Sequence, residues 1–299
     1  MNILIIGSKG FIGSCATQFF KQLKYHVFGC DVVTDYNEKN YFQIDATNSD
    51  YNFLFEHNQI DVCVNCSGAA SVPLSLQFPM KDFSLNTINV FKILEAIRNQ
   101  QSKCKFINLS SAAVYGNPNV LPIKEDTLLK PLSPYGIHKM QAEQICKEYF
   151  EFYQISTCSV RIFSAYGNGL KKQLLWDLFC KFRSNETVEL FGTGNETRDF
   201  IHVDDVLQAI YLIIQNTAFV GEQINIGNGK EHSISYIADL FKDYLNSNKK
   251  VVFNKKVKLG DPLLWRADIS KLHAMGYEPQ YTIEKGVKDY IDWAKEFHV

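Results

Sequence analysis

Short apolar runs alternate with longer amphipathic segments through the first half of the chain. Residues 2–6 form a continuous apolar run, which is the pattern of a strand buried on both faces of a sheet. Similar short runs predict strands at 27–30, 41–44, 60–64, 106–109 and 156–162. Apolar residues at helical spacing predict helices over 14–23, 83–97 and 135–149. Because strands that alternate with helices build βαβ units, this order predicts an α/β fold with a Rossmann-type, doubly wound parallel sheet.

The regular alternation weakens after residue 163. Gly and Asn cluster at 166–169, 192–195 and 227–229, and the segment 249–258 carries five lysines. We therefore expect a dinucleotide-binding domain over residues 1–163, to which a later segment of about 196–228 returns. Residues 164–299 should form mainly a smaller C-terminal α/β cap that binds the substrate.

Composition limits the classes of partner. The chain has 299 residues, 31 Lys+Arg and 32 Asp+Glu, and its apolar fraction of 46% is that of a globular protein. A balanced charge argues against nucleic acid as a partner, because nucleic-acid-binding domains usually carry a basic surplus. No run approaches the roughly 18 apolar residues of a membrane span, and the N-terminal run lacks the features of a signal peptide. We expect no membrane partner and a cytoplasmic location.

The eight cysteines lie mostly within apolar runs. An even number is compatible with disulfides, but reduced and buried thiols are favoured in a long chain without a signal peptide. Cys63 and Cys66 form a single C-x-x-C pair. A zinc site would need a second pair at suitable spacing, so the end of a core strand is favoured over a metal or redox site. We expect no metal.

The sequence Gly-Ser-Lys-Gly-Phe-Ile-Gly at residues 7–13 lies between the first strand and the first helix. Such glycines also occur in ordinary turns, but this position favours a phosphate loop, because the N–H groups of a helix N-terminus bind a pyrophosphate. Asp31 ends the second strand, where a carboxylate binds the adenosine ribose hydroxyls and repels a 2′-phosphate, which favours NAD over NADP. The alternative for Asp31 is a plain strand-end residue. Asp45 and Ala46 end the next strand and would meet the adenine.

Tyr135 and Lys139 are four residues apart and share one face of a predicted helix. A neighbouring ammonium favours the phenolate, so it would bring the pKa of Tyr135 toward the working pH and make it a general base for a hydroxyl group. Ser133 and Pro134 fit an N-cap and a first-turn proline. Ser111 follows a predicted strand and would orient the reacting oxygen. Taken alone, the Tyr–Lys pair also fits a surface pair of a helix.

The glycine loop, the strand-end serine and the Tyr–Lys pair occur in this order along the chain. With them the chain resembles the extended short-chain dehydrogenase/reductase family, in its NAD-dependent nucleotide-sugar epimerase/dehydratase branch (UDP-glucose 4-epimerase-like). The resemblance covers nearly the whole chain and also includes the segments 110–116, 161–167, 192–205, 225–227 and 267–271. The run Arg-Asp-Phe-Ile-His-Val-Asp-Asp at 198–205 is quite specific to this branch.

The resemblance implies roles for individual residues. Ser111, Tyr135 and Lys139 would be catalytic. The cofactor would be NAD, held by Gly7, Gly10, Phe11, Ile12, Gly13, Asp31, Asp45, Ala46, Ser67, Gly68, Ala69, Asn86, Tyr135 and Lys139. The substrate would contact Ser111, Ser164, Arg198, Lys258 and Arg266. A guanidinium suits phosphate oxygens, so Arg198 would bind the nucleotide diphosphate. The alternative for Arg198 is a salt bridge within its own Arg-Asp-Phe run.

The activity that the resemblance implies is nucleotide-sugar 4-epimerisation. Tyr135 would take the proton of the sugar 4-hydroxyl while a hydride moves to NAD, and the transient 4-keto sugar would turn over before the hydride returns. Ala112 and Ala113 stand where 4,6-dehydratases of this branch carry an Asp-Glu pair, which disfavours dehydration.

Two other functions stay open. One is an NAD(P)H-dependent reductase of NDP-4-keto-6-deoxy sugars, which would use the same residues. The other is a non-catalytic NAD-binding regulator, which the presence of both Tyr135 and Lys139 disfavours. The resemblance also implies a homodimer formed through the helices near 83–97 and 135–150.

Overall fold

The computed structural model describes residues 1–45, 49–256 and 260–297. The strands are β1 (Asn2–Ile6), β2 (His26–Asp31), β3 (Tyr41–Gln43), β4 (Val62–Asn65), β5 (Lys105–Ser111), β6 (Thr157–Ile162), β7 (Ser164–Tyr166), β8 (Thr187–Leu190), β9 (Thr197–His202), β10 (Val220–Ile226), β11 (Glu231–Ser233) and β12 (Lys250–Phe253). The α-helices are α1 (Phe11–Gln22), α2 (Asn52–Glu56), α3 (Val72–Gln77), α4 (Pro79–Phe83), α5 (Asn89–Gln100), α6 (Pro134–Tyr153), α7 (Gln173–Ser184), α8 (Val203–Asn216), α9 (Ile234–Tyr244), α10 (Ser270–Ala274) and α11 (Ile283–Ala294).

Seven strands form one parallel sheet in the order β10-β6-β5-β4-β1-β2-β3. This order confirms the predicted Rossmann-type α/β fold. The chain leaves β1 toward β2 on one side and returns to β4 on the other, so the strand order reverses between β1 and β4. Ligands of such sheets bind in the crevice at the carboxyl ends of the strands, next to this reversal. The loops after β1 and β4 border that crevice.

Helices cover both faces of the sheet. Alternate residues of β1 point to opposite faces, as the pleat requires. Ile3 and Ile5 pack in one apolar cluster that includes Ile210 of α8, whereas Leu4 and Ile6 pack in a second cluster. Burial on both faces explains why β1 is apolar at successive positions rather than at every second one.

The helix that the sequence predicts over residues 83–97 is interrupted in the structure. Helix α4 ends at Phe83, Ser84–Ile88 form a π-helical turn, and α5 begins at Asn89. Apolar spacing does not reveal a wider turn inside a continuous helical segment, so the sequence predicted one regular helix. Such turns are frequent at functional sites, and this one carries Asn86.

A third apolar cluster lies in the second half of the chain. It joins α7, α9 and α11 to residues of β8 and β9. Two small sheets accompany it, one in the order β11-β9-β7 and the other pairing β12 with β8. Strand β10 instead returns to the main sheet, and α8 packs on it. The domain boundary near residue 163 stays a prediction.

Two further properties concern the whole described chain. Within residues 1–45, 49–256 and 260–297, no helix combines the length and the apolarity that crossing a membrane requires. In the same ranges no group of three or more His, Cys, Asp or Glu side chains is arranged to hold a metal ion.

Candidate active site

The glycine loop brings the ends of β1 and β4 close together. Gly7 has φ +81°, and a Cβ there would lie 2.7 Å from the backbone nitrogen of Ser67. A Cβ on Gly13 would lie 2.0 Å from the carbonyl oxygen of Gly7, so only glycine lets α1 begin this close to β1. The N-cap residue is Gly10, which has no side chain to cap the helix. The first N–H groups of α1 are therefore oriented to receive an anion.

Asp31 at the end of β2 is fixed against this loop. Its Oδ2 accepts the backbone N–H of Lys9 at 2.8 Å, and its Oδ1 accepts the backbone N–H of Val32 at 2.7 Å. Oδ1 also accepts the backbone N–H of Val33 at 3.4 Å, so Oδ2 is the oxygen with capacity for a further donor. The carboxylate thus lies where a dinucleotide places its adenosine ribose.

Three segments converge where β4 ends. Gly68 has φ +116°, and a Cβ there would lie 2.5 Å from Asn86 Oδ1 and 3.5 Å from Lys139 Nζ. The loop after β4, the π-helical turn and helix α6 therefore meet at this point. The Ser67 hydroxyl donates to Asn65 Oδ1 at 2.5 Å, which fixes the loop to the end of β4. Ala69 follows, partly buried.

The Asn86 side chain lacks a protein partner. Both its Oδ1 and its Nδ2 are buried and make no hydrogen bond within the described part of the chain. An amide buried in this way costs free energy unless a partner is supplied. Its position beside Gly68 and Lys139 points to a polar ligand as that partner.

Ser111 and Tyr135 come from two adjacent elements, β5 and α6. Ser111 ends β5, and its Oγ accepts the backbone N–H of Ala113 at 3.2 Å. Tyr135 lies in the first turn of α6, where Ser133 is the N-cap as predicted and accepts the backbone N–H of Gly136 at 3.2 Å. The Ser111 side chain lies close enough to Tyr135 to lower the pKa of the phenol. The first turn of α6 therefore holds the phenol next to the end of β5.

The protein alone does not lower the pKa of Tyr135. Burial raises that pKa, the hydrogen bond from Ser111 opposes the rise, and the charge of Asp82 adds to it. We expected Lys139 to lower the pKa of Tyr135, and in the structure burial outweighs any such effect. Work as a base near neutral pH therefore requires a further positive charge close to the phenol.

Lys139 is buried one turn after Tyr135. It is 6% exposed, and its Nζ donates to the carbonyl oxygen of Leu109 at 2.8 Å. Burial lowers the pKa of Lys139 to about 8, and the charges of Asp82, Cys66 and Glu143 oppose that shift. The side chain thus stays mainly an ammonium at neutral pH.

The positions of the other predicted cofactor residues that the structure describes are known from their packing and exposure. The side chain of Ile12 packs on the cluster under the sheet, and that of Phe11 packs on the cluster of the second half of the chain. Both side chains are only partly buried by this packing. Asp45 is exposed after β3. Ala46 and Lys258 lie outside the described residues.

Arg198 on β9 has partners outside its own sequence run. Its Nη2 lies 3.8 Å from Asp261 Oδ2, and its guanidinium carbon lies 5.7 Å from the Trp265 ring centroid. A salt bridge with the neighbouring Asp199, the alternative drawn from the sequence, is wrong. Asp199 is fully buried and accepts backbone N–H groups of Asn228, Gly229 and Ala267 at 2.7–3.0 Å.

Ser164 and Arg266 complete the predicted substrate residues. Ser164 lies on β7 opposite Phe200 of β9, so it belongs to the same small sheet as Arg198. The Arg266 Nη1 lies 3.8 Å from Glu231 Oε1, whereas Arg198 pairs with Asp261. Among the ion pairs of the described residues, the two arginines therefore have different partners.

Two hydrogen-bonded pairs around α6 were missed by the sequence analysis. His138 binds Asp82 through Nδ1 and Oδ2 at 2.6 Å, and Arg161 binds Glu143 at 2.7 Å with both side chains buried. The only sequence signal was the position of His138 and Glu143 on the helix that carries Tyr135 and Lys139. Their partners lie 56 and 18 residues away along the chain, and spacing alone does not identify them.

The chain's own groups fit a dinucleotide at this edge of the sheet. The uncapped N-terminus of α1 suits a pyrophosphate, Asp31 suits a ribose diol, and the buried amide of Asn86 lacks a partner that a nicotinamide nucleotide would supply. The charged Nζ group of Lys139 lies beside Asn86.

Comparison with known proteins agrees with this geometry. The chain is 28% identical to the UDP-glucuronate 4-epimerase of Thermodesulfobacterium geofontis over 98% of this chain and 96% of that protein. The crystal structure of the UDP-glucuronic acid 4-epimerase from Bacillus cereus in complex with UDP-glucuronic acid and NAD superposes with a TM-score of 0.90 at 28% identity, covering 100% of both chains. The UDP-glucose 4-epimerase of Thermotoga maritima with UDP-glucose gives a TM-score of 0.88 at 26% identity over 99% of both chains.

A sequence profile of one protein family matches most of this chain. The profile of the NAD dependent epimerase/dehydratase family matches residues 3–227, which is well over half of the chain. The matched segment includes the glycine loop, the Ser111–Tyr135–Lys139 group and Arg198. The chain therefore belongs to the NAD dependent epimerase/dehydratase family.

Proposed function

We propose that this protein is an NAD-dependent nucleotide-sugar 4-epimerase in which Tyr135 is the general base. The observation that carries the proposal is the position of Tyr135, which is close enough to Ser111 at the end of β5 for that side chain to act on its pKa and lies one helical turn before the buried ammonium of Lys139. This group lies at the sheet edge where the glycine loop and Asn86 point to a dinucleotide. Solved relatives bound to NAD and UDP-sugars support the substrate class.

The chemistry follows from the positions of these side chains. Tyr135 takes the proton of the sugar 4-hydroxyl, and Ser111, whose Oγ is held by the Ala113 N–H, orients O4. Bound NAD accepts the hydride from C4 and brings the positive charge that favours the Tyr135 phenolate. Oxidation at C4 is reversed on the other face of the sugar, so no net oxidation or reduction occurs.

The remaining assignments belong to the same proposal. Backbone N–H groups of residues 10–13 bind the pyrophosphate, Asp31 binds the adenosine ribose, and Asn86 with Lys139 binds the nicotinamide ribose. Arg198 binds the nucleotide diphosphate, because its ion pair with Asp261 is long at 3.8 Å and a guanidinium suits phosphate oxygens. Ala112 and Ala113 carry no group that exchanges a proton, which argues against dehydration.

The direct test is incubation of the purified protein and NAD with separate UDP-sugars. The panel comprises UDP-glucose, UDP-galactose, their N-acetyl forms, UDP-glucuronate and UDP-galacturonate, with the sugars resolved by NMR. We expect interconversion of one 4-epimeric pair without net formation of NADH. No interconversion of any pair would contradict the proposal. Steady consumption of NADH or NADPH with an NDP-4-keto-6-deoxy sugar would instead indicate the reductase.

The role of Tyr135 is tested by Tyr135→Phe. General acid–base catalysis contributes about 10²–10⁴ in rate, so we expect kcat to fall by about that factor while NAD binding is kept. Tyr153→Phe is the matched control, since Tyr153 lies at the far end of the same helix and is 47% exposed. Retained turnover in Tyr135→Phe, or equal losses in both variants, would exclude Tyr135 as the base.

We further propose a homodimer and a cytoplasmic location. Apolar side chains are exposed on the adjacent surfaces of α4, the π-helical turn, α5 and α6, at Met80, Ile88, Phe91 and Ile137. Burial of such a patch against a second copy removes apolar area from water. The location is supported by the eight free cysteines, which persist where thiols are kept reduced.

A further inference from the structure

A buried carboxylate, Asp82, is hydrogen-bonded to the residue that precedes Lys139 on α6. Asp82 of α4 is 3% exposed, and its Oδ2 lies 2.6 Å from Nδ1 of His138. His138 lies between Tyr135 and Lys139 on α6, one residue before the lysine. The other oxygen of Asp82, Oδ1, is buried and makes no hydrogen bond to any described residue. A carboxylate left in this state interacts strongly with charges close to it.

His138 is also fixed by contacts other than this bond. The Thr87 hydroxyl donates to the His138 backbone carbonyl at 3.0 Å, and the rings of Phe83 and His138 meet edge-on at 5.3 Å. Phe83 and Thr87 belong to the helix end and the π-helical turn that carry Asn86. The contacts of His138 therefore join α6 to the segment that presents the unpartnered amide.

The charge of Asp82 reaches both reacting side chains. It raises the pKa of Lys139 against the dominant lowering by burial, and it raises the pKa of Tyr135 in addition to burial. The other groups that act on Lys139 are Cys66 after β4 and Glu143 and Cys146 on α6.

These other groups differ from Asp82 in charge. The Glu143 carboxylate is bound to Arg161, so its charge is compensated, and burial raises the pKa of both thiols, which keeps them neutral. The side chain of Ser111 is the other group that acts on Tyr135, and it carries no charge. Asp82 is thus the carboxylate whose charge acts on both Tyr135 and Lys139.

We propose that Asp82 and His138 form a positioning pair, which holds α6 against the Asn86 turn and places a buried carboxylate where its charge acts on Tyr135 and Lys139 together. Asp82 acts through the Tyr–Lys pair and touches no substrate. Loss of its charge makes the phenolate of Tyr135 easier to form and the ammonium of Lys139 easier to lose, so both protonation equilibria move toward lower pH. The consequence for turnover rests on the proposed epimerase function, whereas the shift in protonation does not.

The test measures the ionisation of Tyr135 without substrate. Ultraviolet difference spectra between the NAD-bound protein and its Tyr135→Phe variant isolate the tyrosinate signal of this residue, and the same pair of spectra is recorded in the Asp82→Asn background. We expect the midpoint to fall by about 0.5–1 pH unit, which is at the lower end of the effects that a nearby charge has on a pKa. The pH profile of kcat/KM, where turnover is found, should move in the same direction.

Three variants separate charge from structure. His138→Gln keeps the carboxylate and offers it an N–H donor, and Thr87→Val removes an uncharged bond between the same segments, so neither should lower the midpoint. Asp82→Ser repeats the test if Asp82→Asn does not bind NAD. An unchanged midpoint in both Asp82 variants, or the same fall in Thr87→Val, would overturn the proposal. A shifted midpoint in a protein that epimerises no sugar would uphold it and reject the proposed function.

Discussion

Burial and charge act in opposite directions on Lys139. Removal from water disfavours its ammonium and sets its pKa at about 8, while nearby anionic groups oppose that effect. A lysine with this pKa is charged at pH 7. It loses its proton at a clearly lower pH than an exposed lysine does. The activity of the site should therefore be sensitive to mildly alkaline pH.

This sensitivity gives a prediction. In the absence of other limiting groups, kcat/KM should fall as pH rises through about 8, because the folded protein loses the ammonium there. Lys139→Met should lower kcat/KM and remove the alkaline fall. Lys147→Met on an exposed turn of the same helix should change neither. A wild-type profile that stays flat well above pH 8, or an alkaline fall that persists in Lys139→Met, would show that Lys139 does not control it.

At the residue scale, spacing along the helix identified what one helix holds together. Tyr135 and Lys139 share α6, so their proximity was predictable from four residues of separation. The approach of Ser111 to Tyr135 was implied by the family resemblance rather than by spacing, because the two residues lie on different elements. The Asp82–His138 pair was not predictable, because its members meet only through the packing of α4 on α6.

At the scale of elements, α6 is anchored by a buried polar network. Arg161 of β6 donates to both carboxylate oxygens of Glu143 at 2.7–3.2 Å and to the Tyr115 hydroxyl at 2.9 Å. The Tyr115 hydroxyl in turn donates to Asn225 Oδ1 of β10 at 2.6 Å. Glu143 lies one turn after Lys139, so this network sets the position of the lysine along the sheet.

The network predicts an asymmetric cost of mutation. Arg161→Leu leaves the buried Glu143 carboxylate uncompensated and should lower the free energy of unfolding by about 3–5 kcal/mol. The double variant Arg161→Leu/Glu143→Leu should recover part of that loss, because no buried charge remains. Urea denaturation of Arg161→Leu, Glu143→Leu and the double variant measures these changes in the free energy of unfolding. Additive losses in the double variant would show that the two side chains are not coupled.

The helical segment from α4 to α5 shows a limit of pattern analysis. Its apolar positions predicted one helix over 83–97, and the structure has a π-helical turn at Ser84–Ile88. The wider turn changes the direction of Asn86 without changing the apolar spacing around it. Contacts with α6, including the Thr87 hydroxyl, accompany this geometry.

At the scale of the whole molecule, a net charge of −1 is compatible with anionic ligands. The groups placed to receive them are local: the N-terminus of α1, Lys139 and Arg198. The sheet brings the first two to one edge although more than a hundred residues separate them. A global basic surplus is therefore unnecessary for the binding of a dinucleotide.

The proposed homodimer gives the prediction at this scale. Phe91→Glu introduces a charge into the exposed apolar patch, so we expect the protein to become monomeric in sedimentation velocity while it still binds NAD. Leu128→Glu is the matched control, since Leu128 is 72% exposed and lies outside these helices. A wild-type protein that is monomeric at all concentrations, or dissociation by both variants alike, would contradict this interface.

The sequence by itself determined the parallel sheet, the glycine loop at its first crossing and the Tyr–Lys pair, because each depends on local periodicity or on residues a few positions apart. The tertiary structure alone decided which distant groups surround that pair. Asp82 meets His138, Gly68 meets Asn86 and Lys139, and Arg198 meets Asp261 only after helices and loops have packed. Burial also comes only from packing, and burial rather than sequence spacing sets the direction of the pKa shifts of Tyr135 and Lys139.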